Sequence, residues 1–357
     1  MKIYINYFII LFIMSFQSCN TVEPPIDIKT QKQWEPIQEL SNLSVRYILK
    51  HDKTLYLSAV ESNKDYRGVI WKTNDGNNWI MLRTFEKAIG PLTTHGDTLY
   101  CLGDSLFRYI IPLEIWENVC QPKPLTSDVQ AVSEMIFLKN KLYAMQTFFS
   151  DAVATYRINF DGTVENISVL PEIGPSYGGA KFIKNLENAE YCYVRGQYYK
   201  GGFYSFNGKI FTKIKEGLTN ESWIYPPTNS MEIKNDTLFA GFRYPGVIKF
   251  LNNNIWTNYS DPLPLTKEGN KIYNTEPTEI TFVDDKMFVS TDALGVLEWK
   301  KDSGWIQFSK GLLSYSWVDL YYPIVFLESI KNILIASYGD PGYAPWGGIG
   351  VYKYKIN

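Results

Sequence analysis

Histidine is almost missing from this chain of 357 residues, with two in all. That argues against histidine-rich zinc sites and against a His-based catalytic triad. An excess of either charge is missing too. Lys and Arg number 35 against 37 Asp and Glu, a net of -2, so there is no electrostatic case for nucleic acid or an anionic membrane surface. Beyond the N-terminus no apolar run approaches the length of a membrane helix. What the chain has is aromatic side chains: 20 Phe, 10 Trp and 26 Tyr. With 25 Gly and 18 Pro, these read as many short strands joined by turns, an all-β chain. A content of 45% hydrophobic and 20% charged residues excludes global disorder.

The N-terminus carries an export signal. Lys2 supplies a short positive region, and residues 7–16 form an apolar stretch too short for a comfortable membrane span. It leads to Ser18-Cys19, a small residue before a cysteine. This resembles a relaxed bacterial lipobox of the kind found in Bacteroidetes-type lipoproteins, with Phe16 and Gln17 departing from the family pattern. The resemblance implies a signal peptide over 1–18, cleavage before Cys19, lipidation of its thiol and a membrane anchor. An ordinary secretory signal with an incidental cysteine is the other reading. Residues 19–32, polar and with Pro24-Pro25, then serve as an extended tether. The expected address is the cell envelope at the outer membrane, facing the periplasm or the surface.

After the tether one phrase recurs, a polar turn followed by apolar-aromatic-apolar. Its central residue falls at Tyr56, Tyr100, Tyr143, Tyr191, Phe239, Phe288 and Leu334, at intervals of 44, 43, 48, 48, 49 and 46. That is the period of four-stranded propeller blades. A further strand follows about a dozen residues on, as in Gly68-Val69-Ile70-Trp71. Turns such as Asn207-Gly208, Asp161-Gly162 and Ser303-Gly304 come next. Outer-strand pairs close each unit: Trp79/Leu82, Trp116/Val119, Val164/Ile167, Phe211/Ile214, Trp256/Tyr259 and Trp305/Phe308. The last repeat lacks such a pair, whereas Trp34/Ile37 precedes the first one. A ring has to close, since open strand edges and an apolar flank would otherwise be exposed. We therefore expect a single domain over 33–357, a seven-bladed β-propeller with four-stranded antiparallel blades, closed by an N-terminal strand completing the last blade. Six blades with one misread repeat, the second, is the alternative.

Residues 72–79 resemble an Asp-box, the turn of sialidase-type and sortilin-type propellers: Gly76 and Trp79 match, while Asn74 stands at the Asp position and Asp75 one place later. In that family the box is a structural turn distant from the site, so the resemblance implies fold and little about activity. Glu216-Gly217-Leu218 and Lys310-Gly311-Leu312 resemble the repeat junctions of sensor-kinase propellers.

Arg67, Arg195 and Arg243 fall in matching second-to-third-strand loops of different blades, where guanidinium forks suit carboxylate, sulfate or phosphate. Solvated loop arginines are the bland reading. Trp223, Tyr315, Trp317, Tyr343 and Trp346 lie in loops of the same face and offer apolar faces with polar edges for sugar rings or protein contacts. No Tyr–Glu spacing singles out a nucleophile, and Asp65, Asp292, Asp340 and Glu221 are the loop carboxylates that a glycosidase would use. Cys101, Cys120 and Cys192 remain after Cys19; the first two are separated by a strand, so no bridge is expected between them. No metal or cofactor is implied, because the Asn-rich turns lack alternating Asp ligands. The expectation is a lipid-anchored, non-catalytic binding module for a glycan or a partner protein. A glycan-active hydrolase or lyase on the same scaffold is the alternative.

Overall fold

β-branched and aromatic residues alternating between Gly, Asn and Asp turns favour half-buried strands, and strands account for nearly all the regular structure. The computed structural model describes residues 33–356, leaving out 62–66, 123–131, 148–152, 171–179, 187–188, 195–201, 214–229, 243–245, 251–255, 269–270, 315–319 and 339–349. Among the described residues no helix is long and apolar enough to cross a membrane.

Six blades are each built from four consecutive antiparallel strands. Blade 1 comprises Leu43–His51, Thr54–Glu61, Gly68–Thr73 and Ile80–Phe85. Blade 2 comprises Leu92–His95, Thr98–Leu102, Leu106–Ile110 and Ile115–Cys120. Val132–Leu138, Lys141–Thr147, Val153–Ile158 and Val164–Leu170 make blade 3. Blade 4 is Ala180–Leu186, Ala189–Val194, Gly202–Phe206 and Phe211–Lys213. Blade 5 is Met231–Lys234, Thr237–Gly241, Val247–Phe250 and Trp256–Asn258, and blade 6 is Pro277–Val283, Lys286–Thr291, Val296–Lys300 and Gly304–Gln307. A closing sheet joins Ile324–Ile330, Ile333–Tyr338 and Val351–Lys355 to the N-terminal strand Glu35–Pro36. The expectation of seven blades is corrected accordingly: the chain makes six self-contained blades, not seven, and the remaining four-stranded sheet is a composite of both ends of the domain. Its third strand is edged by residues 35 and 36, which lie opposite Lys353 and Tyr352, instead of by a strand of the same repeat. The second repeat is a complete sheet and no misreading.

Each inner strand neighbours the next, and that of the closing sheet returns to blade 1, so the sheets form a closed β-propeller ring. Apolar clusters fill the spaces between adjacent sheets. One unites Leu43, Val45, Leu57 and Trp79 of blade 1 with Ile330, Ile335 and Val351 of the closing sheet. Another unites Tyr56 and Ile70 with Leu92, Leu99 and Tyr109 of blade 2. The second-strand aromatics of the repeat pair with polar third-strand residues: Tyr56 with Lys72, Tyr100 with Arg108, Tyr143 with Arg157, Phe239 with Lys249 and Phe288 with Glu298. By this register Ile335, opposite Lys353, holds that position in the closing sheet, one residue beyond Leu334. A two-stranded ribbon, Leu265–Glu268 with Lys271–Asn274, stands between blades 5 and 6 and has no counterpart in the repeat pattern. Cys101 is buried and Cys120 partly so, both as free thiols.

The turn over residues 73–78 shows why the chain bends there. Asp75 Oδ1 accepts the N–H groups of Asn77 and Asn78, both at 2.8 Å, and Thr73 Oγ1 accepts that of Gly76 at 2.9 Å. These donors, the Asn78 N–H foremost, hold the Asp75 carboxyl well below the usual carboxylate range. Gly76 has φ +75°, and a Cβ there would press on Ile330 and Ile333 of the closing sheet at 3.0 and 3.1 Å. Asp75, not Asn74, is the residue on which the turn is built.

Candidate binding site at the channel axis

The inner strands of blades 1, 3 and 6 and of the closing sheet share a β-bulge near their starts. Their register shifts fall at Val45/Tyr47, Val132/Glu134, Pro277/Glu279 and Ile324/Phe326. A bulge leaves one residue unpaired and re-aims those beside it. After it, Tyr47, Glu134, Glu279 and Phe326 stand at one level, opposite Ser58, Met145, Ser290 and Ser337. Ser230 of blade 5 belongs to the same level through the Gly241 N–H that donates to its carbonyl at 2.9 Å. Blade 2 offers only Gly90 beside Leu102.

Tyr47 reaches past blade 2 and donates its hydroxyl hydrogen to Glu134 Oε2 of blade 3 at 2.5 Å. Its ring lies 6.4 Å from that of Phe326. Glu134 and Glu279 are 5% and 7% exposed, so two acidic residues are more than nine-tenths buried at the axis. Burial, and then the negative charge of Glu134, Glu279 and Glu328, keep the Tyr47 phenol well above its usual pKa. One level down, Glu328 Oε2 accepts the Ser329 N–H at 3.0 Å. Ser329 Oγ accepts from Lys50 Nζ at 3.2 Å and donates to the Phe282 carbonyl at 2.8 Å, tying the inner strands of blades 1 and 6 to the closing sheet. The axis therefore gathers the Tyr47 phenol, the carboxyl groups of Glu134, Glu279 and Glu328, and the Lys50 ammonium. Among the described residues no group of three His, Cys, Asp or Glu side chains is placed to hold a metal.

Of the residues expected to bind ligand, Arg67 is described. Its carbonyl accepts the Glu61 N–H at 3.0 Å, at the second-to-third-strand connection of blade 1. Arg195, Arg243, Trp223, Tyr315, Trp317, Tyr343 and Trp346 lie outside the described residues, as do Cys19, Asp65, Glu221 and Asp340. Asp292 Oδ1 accepts the Glu276 N–H at 2.8 Å and so holds a blade 6 connection to the start of its inner strand. Sequence reasoning passed over Tyr47, Glu134 and Glu279, although a signal was present. Each lies nine residues before the second-strand aromatic of its repeat, Tyr56, Tyr143 or Phe288.

No protein-family model matches the chain, and no curated protein matches it. Solved structures do share its fold. YCF48 bound to D1 peptide superposes with a TM-score of 0.55 at 11% identity, over 92% of this chain and 96% of that one. The structure of U3-55K gives 0.51 at 12% identity over 90% and 100%, and that of the RRP9 WD40 repeats 0.51 at 12% over 91% and 100%. At such identities the likeness is one of β-propeller fold.

Proposed function

We propose that this protein is a lipid-anchored, non-catalytic binding module of the cell envelope. It holds a segment of a partner polypeptide, or else a glycan, at the end of the channel where the second-to-third-strand and blade-to-blade connections emerge. The observation that carries this reading is the acidic axis, with Tyr47 bridging to the buried Glu134 and with Glu279 and Glu328 beside it. Acidic side chains gathered at the axis favour a ligand that brings positive charge or hydrogen-bond donors. Propeller scaffolds commonly serve as binding and interaction modules, and YCF48, of the same fold, was solved with a peptide bound. The glycan-active hydrolase remains the second reading, because the same carboxylates could take catalytic parts; turnover of a glycan by wild type that is abolished in Glu134→Gln would establish it.

The test is a screen of immobilised peptides and envelope glycans against wild type, the double variant Glu134→Gln/Glu279→Gln and Trp317→Ala, each checked for its melting temperature. Charge-assisted contacts contribute about 1.5–3 kcal/mol each, so a true ligand should weaken at least about tenfold in both variants. Binding that survives both, yet is lost on changing the turns at Asn207 or Asp161, would put the ligand at the other end of the ring.

A further inference from the structure

The hairpins that join third to outer strands carry exposed apolar side chains on four consecutive blades. Ile80 and Met81 follow the blade 1 hairpin, Leu113 and Ile115 belong to that of blade 2, Phe160 to blade 3 and Ile210 to blade 4. Leu113 and Ile210 are each 62% exposed, and Phe160 is 46% exposed. Turn chemistry does not ask for them. In blade 3 the bend is already made by Asn159, whose N–H donates to the Thr163 carbonyl at 2.9 Å, by Asp161 accepting the Thr163 N–H at 2.8 Å, and by Gly162 at φ +90°. Blade 6 shows the ordinary solution, a polar hairpin of Lys301, Asp302 and Ser303.

The closing sheet has no such hairpin. Its outer strand starts with Trp34 and Glu35 at the level where outer strands begin elsewhere, since Trp34 packs on Tyr354 as Trp305 packs on Trp299. The first described residue, Gln33, thus lies at the same end of the ring as the apolar tips.

We propose that this end rests on a lipid bilayer, with the tips of blades 1 to 4 dipping into its interfacial layer. The proposal rests on the lipid-anchor reading. Residues 19–32 span at most about 46–50 Å when extended, which keeps a bilayer within constant reach and at high effective concentration. Weak insertion then suffices to orient the domain. Separate apolar tips on successive blades suit a headgroup layer, into which each side chain enters on its own. A protein-binding surface would concentrate aromatic and Arg side chains at one centre instead. With a net charge of -2 the contact needs apolar insertion, not attraction to anionic lipid. So oriented, the acidic axis opens away from the membrane, toward its ligand.

The experiment is hydrogen exchange on the mature, lipidated protein in phosphatidylcholine vesicles, compared with the triple variant Leu113→Ser/Phe160→Ser/Ile210→Ser. Leu113 and Ile210 are exposed, whereas Phe160 also lies on the rings of Tyr100 and Phe137, so the double variant Leu113→Ser/Ile210→Ser, which should melt within a few degrees of wild type, is measured beside the triple one and decides if the triple variant melts lower. In wild type the hairpins of blades 2, 3 and 4 should exchange at least about fivefold more slowly than in the variant, while the polar hairpin of blade 6 is unchanged. Equal exchange in the two proteins, with lipid demonstrably attached at Cys19, overturns the orientation and leaves the anchor standing. If no lipid is attached, the anchor reading fails by itself, and flotation of the protein with vesicles decides the surface: flotation abolished by the triple variant upholds it, and no flotation overturns it. Protection that needs a second protein and is absent with vesicles alone would assign the tips to a protein partner and overturn the proposal.

Discussion

Trp34 and Trp305 each stand at the start of an outer strand, and they are held differently. Trp305 follows its neighbouring strand through a hairpin whose ends, Lys300 and Gly304, are four residues apart; it is partly exposed, packs on Trp299 at 5.1 Å and donates its Nε1 hydrogen to the Asp261 carbonyl. Trp34 is joined to its neighbour by no hairpin, since Glu35 must find Lys353. Closing that span costs about 4 kcal/mol more chain entropy than closing the hairpin. The structure offsets this locally. Trp34 is fully buried, its Nε1 hydrogen goes to the Phe308 carbonyl at 2.7 Å, and its N–H goes to the Lys310 carbonyl at 2.8 Å. The Ile37 N–H adds a bond to Val351 at 2.8 Å. A strand without a covalent turn is kept by depth and by extra hydrogen bonds.

The sharpest way to break the contrast is to remove each indole. Trp34→Ala should lower stability by about 3–5 kcal/mol, and Trp305→Ala by about half that, measured by urea unfolding. Removing residues 19–40 should be at least as damaging as Trp34→Ala, whereas removing 20–31 should be nearly silent. Equal losses for the two indoles would mean that the latch is no deeper than a common outer strand.

A smaller effect is expected at Gly311, which has φ +93° and faces the backbone of Trp34 so closely that a Cβ would collide with its carbonyl. Gly311→Ala should cost about 1–3 kcal/mol. Combined with Trp34→Ala it should add much less, because the strand it obstructs is already loosened. Full additivity would separate the two sites.

The smallest effect belongs to a covalently made hairpin, that of blade 1. Asp75→Ala should cost about 1 kcal/mol at neutral pH, the scale of a lost capping side chain. The folded-state pKa of Asp75 is depressed, so its contribution is present above the ordinary carboxylate pKa and fades as the pH falls below about 4. The gap between wild type and Asp75→Ala should therefore narrow between pH 7 and pH 3 in thermal melts. A constant gap would show that Asp75 acts through something other than its charge.

Much of the fold was legible because it repeats. The first members of the outer-strand pairs, from Trp79 to Trp305, lie at or within one residue of the starts of outer strands, and Trp34 directly precedes the strand that completes the closing sheet. The register of one repeat went astray by a residue, at Leu334, because neighbouring apolar residues look alike until a partner strand separates them. The ribbon at 265–274 was missed because it follows no period. The axial residues were missed for a physical reason as well. A glutamate inside an apolar strand reads as an exception when only one repeat is considered, and nothing local says that Tyr47 meets Glu134, 87 positions away.

By itself, the sequence determined the strand-rich class, the repeat length, the turns and the need for the two ends of the domain to meet, since all four depend on local pattern and on the cost of open edges. Tertiary structure alone decided which polar side chains share the axis, which hairpin tips form one end of the ring and how deeply the closing strand is buried. Those properties belong to residues far apart in the chain, brought together only when the sheets pack around a common axis.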